Sequence, residues 1–270
     1  MGESKKILFV NSEIYPYLPE NTISAIGRYL PQGIQERRNE IRSFMPRYGC
    51  INERKNQLHE VIRLSGMNII INDVDRPLVI KVASISAARM QVYFIDNDDY
   101  FRRKRTFTDE SGKFYDDNGE RAIFFARGVL ETVKKLRWAP DIIHCQGWIS
   151  HFIPLYLKKA YRDDPIFSHC KIVLSLYDDT PETFRSDLAR LARFSSIGPE
   201  ELSLIDNPTG INLAKLAIKY SDGIIVGSSE IEKEELEYCD ELSLPVLPFD
   251  MESLADDSYI DQYNSFYSKI

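Results

Sequence analysis

The chain has 270 residues, 43% hydrophobic and 28% charged, a globular balance with length enough for one large core or two small ones. Its 34 Lys and Arg against 41 Asp and Glu give a formal net charge of -7, which argues against a nucleic-acid partner, since polyanion binding asks for a positive face. No apolar run reaches the roughly 18 residues a membrane span needs, so no membrane segment is expected.

Met1-Gly2 weakly matches a myristoylation signal, but Lys6 stands where Ser or Thr is wanted. Ile7-Leu8-Phe9-Val10 is too short for a signal-peptide core. Neither lipidation nor secretion is expected. Cys50, Cys145, Cys170 and Cys239 form no C-x-x-C pair and read as reduced packing cysteines of a cytoplasmic protein. Among the four histidines only His144 and His151, seven apart, come near a ligand spacing, so a zinc site is not expected; no cofactor is expected either.

In chain order, Lys6 to Val10 reads as a strand buried on both faces. A proline-punctuated loop leads to a helix capped by Ser24 and running to about Arg37, with Ile23, Ile26, Leu30 and Ile34 at helical spacing. Ile41 to Met45 is a second strand. Short runs at Val61-Ile62, Met67 to Ile71, Leu78 to Val82 and Gln91 to Ile95 predict an antiparallel excursion of hairpins ending in a core strand. Asp96 to Asp117 is a charged loop holding Arg102-Arg103-Lys104-Arg105. That run either grips a phosphate or is solvated, and the acidic balance of the chain favours solvation.

Helices are then predicted over Gly119 to Leu136, Ile149 to Ala160, Glu182 to Phe194, Ile211 to Tyr220 and Ser228 to Cys239. Strands at Asp141 to Cys145, Lys171 to Leu176 and Gly223 to Val226 alternate with them. This alternation predicts an α/β, Rossmann-like fold: a mostly parallel sheet with helices on both faces, plus the hairpin excursion. Residues 1–250 read as one domain and 251–270 as a helical tail. Tyr259, Ile260, Tyr263, Phe266 and Tyr267 give that tail an aromatic face, which either docks on the chain's own core or takes a protein partner or a second copy.

No Gly-rich phosphate loop or nucleophile elbow is present. Ligands of open parallel sheets sit beyond the carboxyl ends of the strands, which selects three loops. The first holds Glu13, Tyr15, Glu20, Asn21 and Thr22, the second Gln146, Gly147 and Trp148, and the third Tyr177 and Asp178. Their carboxylates, amides and aromatics suit a hydroxyl-rich ligand but form no recognisable catalytic set. Asp178-Asp179 can supply a base or a metal ligand, or simply a turn and cap before Pro181. Trp148 can stack on a sugar or anchor the following helix.

Several blocks carry a family resemblance. Ile7 to Tyr17 resembles the opening of glycogen and starch synthases, the family 5 glycosyltransferases. Leu30-Pro31 and Met45-Pro46-Arg47-Tyr48-Gly49 sit at that family's spacing. Tyr115 to Arg121 with Phe124 to Arg127 is similar to its Y-x-D-N-x-E-R-F helix start, and Pro140 to Trp148 to its P-D-V-V-H-x-H-D-W strand end. Ile211 to Asp222 resembles the helix before its late strand. The resemblance spans roughly residues 5–235. It implies the N-terminal half of a GT-B fold, with ADP-glucose or UDP-glucose as donor and an α-1,4-glucan as acceptor.

The departures are specific. The family's K-T-G-G-L-G-D loop, which approaches the donor phosphates, reads Pro19-Glu20-Asn21-Thr22-Ile23-Ser24-Ala25 here. Its H-D-W aspartate corresponds to Gly147, and its sugar-contacting histidine to Tyr177. The 270 residues hold no counterpart of the family's second nucleotide-binding domain. Three readings follow: a catalytically degenerate domain that binds carbohydrate or a partner, an active half completed by a separate nucleotide-binding subunit, or a different Rossmann-like enzyme with a repurposed cleft.

Overall fold

A computed structural model describes residues 4–270, so the Met1-Gly2 reading lies outside the described residues. Among them, ten strands form one sheet: β1 (Lys6–Asn11), β2 (Glu40–Pro46), β3 (His59–Glu60), β4 (Met67–Ile71), β5 (Val74–Ile85), β6 (Met90–Asp96), β7 (Ile142–Gln146), β8 (Lys171–Leu176), β9 (Gly223–Val226) and β10 (Val246–Leu247). The helices are α1 (Thr22–Glu36), α2 (Asp98–Phe101), α3 (Asn118–Leu136), α4 (Phe152–Lys159), α5 (Leu188–Ala192), α6 (Pro199–Leu202), α7 (Gly210–Lys219), α8 (Lys233–Glu241), α9 (Met251–Ala255) and α10 (Tyr259–Phe266).

The sheet order is β10-β9-β8-β7-β1-β2-β6-β5-β3, with β4 on β5. Every pair from β10 to β6 is parallel, while β5 runs antiparallel to β6, β3 and β4. This is the mostly parallel Rossmann-like sheet with a hairpin excursion that the alternation of elements predicts. Period-two alternation in β1 divides the core. Ile7 and Phe9 join the layer of α1 and α10, while Leu8 and Val10 join that of α3, α4 and α7.

The chain leaves β1 through α1 to β2 on one side, and returns through α3 to β7 on the other. The topological switch point therefore lies beyond the carboxyl ends of β1 and β7. Gly27 of α1 makes this geometry possible, because a β-carbon there would run into the carbonyl of Glu13.

Local differences from the sequence reading have identifiable causes. Asn21, not Ser24, caps α1. Its side chain accepts from Ser24 N at 2.8 Å, while Ser24 Oγ accepts from Asn21 N at 2.9 Å. Val61-Ile62 is not a strand; His59–Glu60 pairs with β5 instead, and Ile62 is 83% exposed. The expected helix over 182–194 shrinks to α5, because Phe184 N donates to Pro208 O at 2.8 Å and Thr183 bridges Thr209 in extended backbone. Loop 227–232 replaces the first turns expected before α8.

The aromatic face of the tail turns inward. Tyr259, Tyr263, Phe266 and Tyr267 are buried against Phe9, Ile26, Leu30 and Ile34, so they pack on this chain and are not free for a partner. Burying an aromatic of this size stabilises by about 2 kcal/mol each, whereas the exposed Arg37–Asp261 ion pair that joins α1 to α10 adds well under about 1 kcal/mol.

Candidate functional site

The parallel neighbours β1, β7, β8 and β9 bring their carboxyl ends to one rim. There Ser12 N donates to Gln146 O at 2.8 Å, locking the loop after β1 onto the end of β7. Gly147 follows with φ of +82°, a left-handed conformation that favours glycine. A β-carbon on Gly147 would sit 2.6 Å from Ser12 Cβ and 2.9 Å from Asp179 Oδ2. Asp179, arriving from the loop after β8, also accepts from Trp148 N at 3.2 Å. The room beside residue 147 is thus taken by a carboxylate from another strand.

That carboxylate is electrostatically unusual. Burial, aided by the charges of Glu13 and Asp178 and opposed by the Trp148 hydrogen bond, raises it to about 7. Its Oδ1 is buried without a protein hydrogen-bond partner, as are Asn11 Oδ1, Ser12 Oγ and Gln146 Oε1. These four acceptors lie at the ends of three adjacent strands, closed off from solvent.

Glu13 is half-buried and accepts from Asn21 Nδ2 at 2.6 Å, which ties the loop after β1 to the start of α1. Burial raises the Glu13 carboxyl, opposed by the Asn21 hydrogen bond. Glu20 and Thr22 are exposed, and Tyr15 is half-buried with its N–H donating to Ser24 O at 3.0 Å. Tyr177 and Asp178 sit between two adjoining cavities. One, of about 430 Å³, also takes in Thr22, Ile23 and Ser228; the other, of about 380 Å³, takes in Thr180, Thr209 and Glu235.

The structure therefore brings Glu13, Asn21 and Gly147 together around Asp179, with Thr22, Tyr177 and Asp178 on the adjacent wall. Two expected cleft residues turn away. Trp148 is fully buried between Phe107 and Phe184, at ring-centroid distances of 5.0 and 5.6 Å, so it anchors the core and offers no sugar platform. Gln146 is fully buried, its Nε2 3.4 Å from His144 Nδ1. His144 itself lies within the layer, its ring nitrogens 2.7 Å from Tyr267 Oη and Ser175 Oγ. Burial lowers it to about 3, which keeps it neutral.

The basic run is largely committed. Arg103 holds Asp117 and stacks on Tyr115, Arg102 and Lys104 pair with Asp98 and Glu110 at the surface, and Arg105 is exposed. Behind it, Arg121 is fully buried and donates to Tyr100 O, Asn118 Oδ1 and Thr106 O at 2.8, 2.6 and 2.6 Å. The matched Y-x-D-N-x-E-R block is thus a brace for the loop after β6.

Sequence reasoning missed Asp179 as the group that reaches the switch point, because adjacent aspartates carry no sign of which one turns inward. It also missed Glu235, whose only signal is its position four residues before buried Cys239, on the inner face of α8.

With this geometry in place, the comparisons with known proteins are direct. A family model described as "Starch synthase catalytic domain" matches residues 6–242. The chain is 34% identical over 234 residues to a glycogen synthase of Chlorobium luteolum, covering 86% of this chain and 47% of that protein. It is 33% identical over 235 residues to a glycogen synthase of Chlorobaculum tepidum, again covering 86% and 47%. The catalytic domain of starch synthase IV from Arabidopsis thaliana, bound to ADP and acarbose, shares the fold with a TM-score of 0.72 at 16% identity, over 93% of this chain and 53% of that one. The chain spans about half the length of the curated relatives it matches. The mostly parallel sheet and these matches agree, and the chain belongs to the starch synthase catalytic-domain family.

Proposed function

We propose that this chain serves as a carbohydrate-binding domain of the synthase fold and transfers no glucose by itself. The observation that carries this reading is the charge of the switch-point rim. Glu13, Asp178 and Asp179 converge where the family resemblance would bring donor phosphates, and none of the ten expected cleft residues is Lys or Arg.

The magnitudes favour exclusion of the donor. The N-terminus of α1 has no acidic residue in its first turn and favours an anion by up to about 1 kcal/mol. One ionised carboxylate about 4 Å from a phosphate opposes it by about 4 kcal/mol at an effective dielectric of about 20. Phosphoryl-type leaving groups need compensating positive charge in the transition state, and this rim supplies the opposite sign. A neutral, hydroxyl-rich glucan meets no such penalty, and the exposed side chains of Glu20, Asn21, Thr22 and Asp178 can take its hydroxyls.

A glucosyl-transfer assay with ADP-glucose, UDP-glucose and a maltooligosaccharide tests the reading. No product is expected from the purified chain. Stoichiometric transfer would sink it, and transfer that appears only when a nucleotide-binding polypeptide is added would establish the half-enzyme alternative instead.

A further inference from the structure

The cavity of about 380 Å³ beyond β8 and β9 has a character of its own. Five carboxylates line it: Asp178, Glu182, Glu230, Glu232 and Glu235. Four are exposed, but Glu235 is only 6% exposed. Among the described residues its carboxylate makes no side-chain hydrogen bond and no ion pair. Lys215, whose charge reaches Glu235, is held at 2.8 Å by Glu234 instead. A carboxylate buried this far and opening into a cavity without a partner is unfavourable unless it is neutralised or paired.

We propose that this cavity binds an organic amine, with the ammonium group on Glu235. Three features select that class. The carboxylates around the cavity set a negative potential that excludes anions. Among the described residues no group of three or more His, Cys, Asp or Glu is placed to hold a metal ion, so a compact divalent cation finds no ligand set. Pro181, Ile211 and Ile231 supply apolar wall for the carbon part, and Thr209 a hydroxyl beside it. The inference stands on these residues whether or not the chain also binds a glucan.

Protonation follows the same arrangement. Burial raises the Glu235 carboxyl to about 7, helped by Glu232 and Asp178 and opposed by Lys215. Glu182 and Glu230 add negative charge from the other walls. An ammonium favours the ionised form, so binding of a strongly basic amine such as putrescine near neutral pH releases a proton, and its affinity rises with pH until Glu235 is fully ionised.

Calorimetric titration of the full chain with putrescine, glucosamine, glucose and Ca²⁺ tests the proposal. Putrescine and glucosamine should bind, glucose at least about tenfold more weakly than glucosamine, with proton release seen as a dependence of the heat on buffer. Glu235→Gln, shown folded by its circular dichroism and melting curve, should lower amine affinity at least about tenfold. If that variant fails to fold, Asp178→Asn and Glu232→Gln, both exposed, should each weaken the amine severalfold. Equal binding of glucose and glucosamine, binding of Ca²⁺ with silence toward both amines, or unchanged affinity in the folded variants would overturn it.

Discussion

Asp179 and Gly147 share one site across two strands: the carboxylate of Asp179 lies 2.9 Å from where a β-carbon on Gly147 would stand. The family pattern places an aspartate at position 147, on the strand end itself. Here the carboxylate comes from the neighbouring loop, points at the Trp148 amide and is half-buried. A carboxyl group is thus present at the switch point, but it arrives from the loop after β8.

Restoring the family aspartate should therefore harm the protein rather than revive it. Gly147→Asp must adopt a strained positive φ and push into Ser12, which is itself buried. We expect a loss of about 2 kcal/mol or more in urea unfolding, with no gain in glucosyl transfer. Gly147→Ala should show most of the same loss, since the first carbon already collides.

The raised carboxyl of Asp179 has a pH signature. Moving from the ordinary 3.8 to about 7 means the folded state holds a proton that the unfolded chain releases. Its contribution to stability therefore falls as pH climbs from about 4 to about 7. His144 and His151, both lowered to about 3 by burial, act with the opposite sign and weaken the fold as pH drops below 6.5. The two trends oppose one another in the parent protein, so the readout is a difference. Asp179→Asn keeps an acceptor for Trp148 N and should gain on the parent steadily between those limits in urea unfolding at a series of pH values.

Arg121 is predicted to be structural despite its place in a family motif. Arg121→Met leaves Tyr100 O, Thr106 O and Asn118 Oδ1 without their donor. A loss of roughly 3 kcal/mol or more is expected by chemical denaturation, with faster proteolysis of the loop between α2 and α3.

The tail should prove integral to the fold. Tyr267→Phe removes the hydroxyl 2.7 Å from His144 Nδ1 and should cost about 1–2 kcal/mol. Truncation after Asp256 uncovers Phe9, Ile26 and Leu30 together, and the shortened chain should aggregate or melt far below the parent. A shortened chain that stayed monomeric with the parent's melting temperature would show that α10 contributes nothing in cis.

Much of the scaffold was readable because its signals are local. Lys171 to Leu176 and Gly223 to Val226 are short, largely apolar runs, and they form β8 and β9 with those limits. The stretch 182–194 misled for a physical reason: Phe184 is apolar at helical spacing, but it packs on Trp148 while its backbone pairs with Pro208. The candidate site was readable only as a set of loops. Which aspartate turns inward, and that Trp148 disappears beneath Phe107 and Phe184, depend on contacts between segments more than thirty residues apart, beyond the reach of spacing along one strand or helix.

On this reading an acidic switch-point rim admits sugar but not nucleotide phosphate. Calorimetric titration of the purified chain with ADP-glucose and, separately, with a short maltooligosaccharide tests it most directly. Measurable heat of binding is expected for the oligosaccharide and none for ADP-glucose. Saturable binding of ADP-glucose, tighter than that of the oligosaccharide, would contradict it.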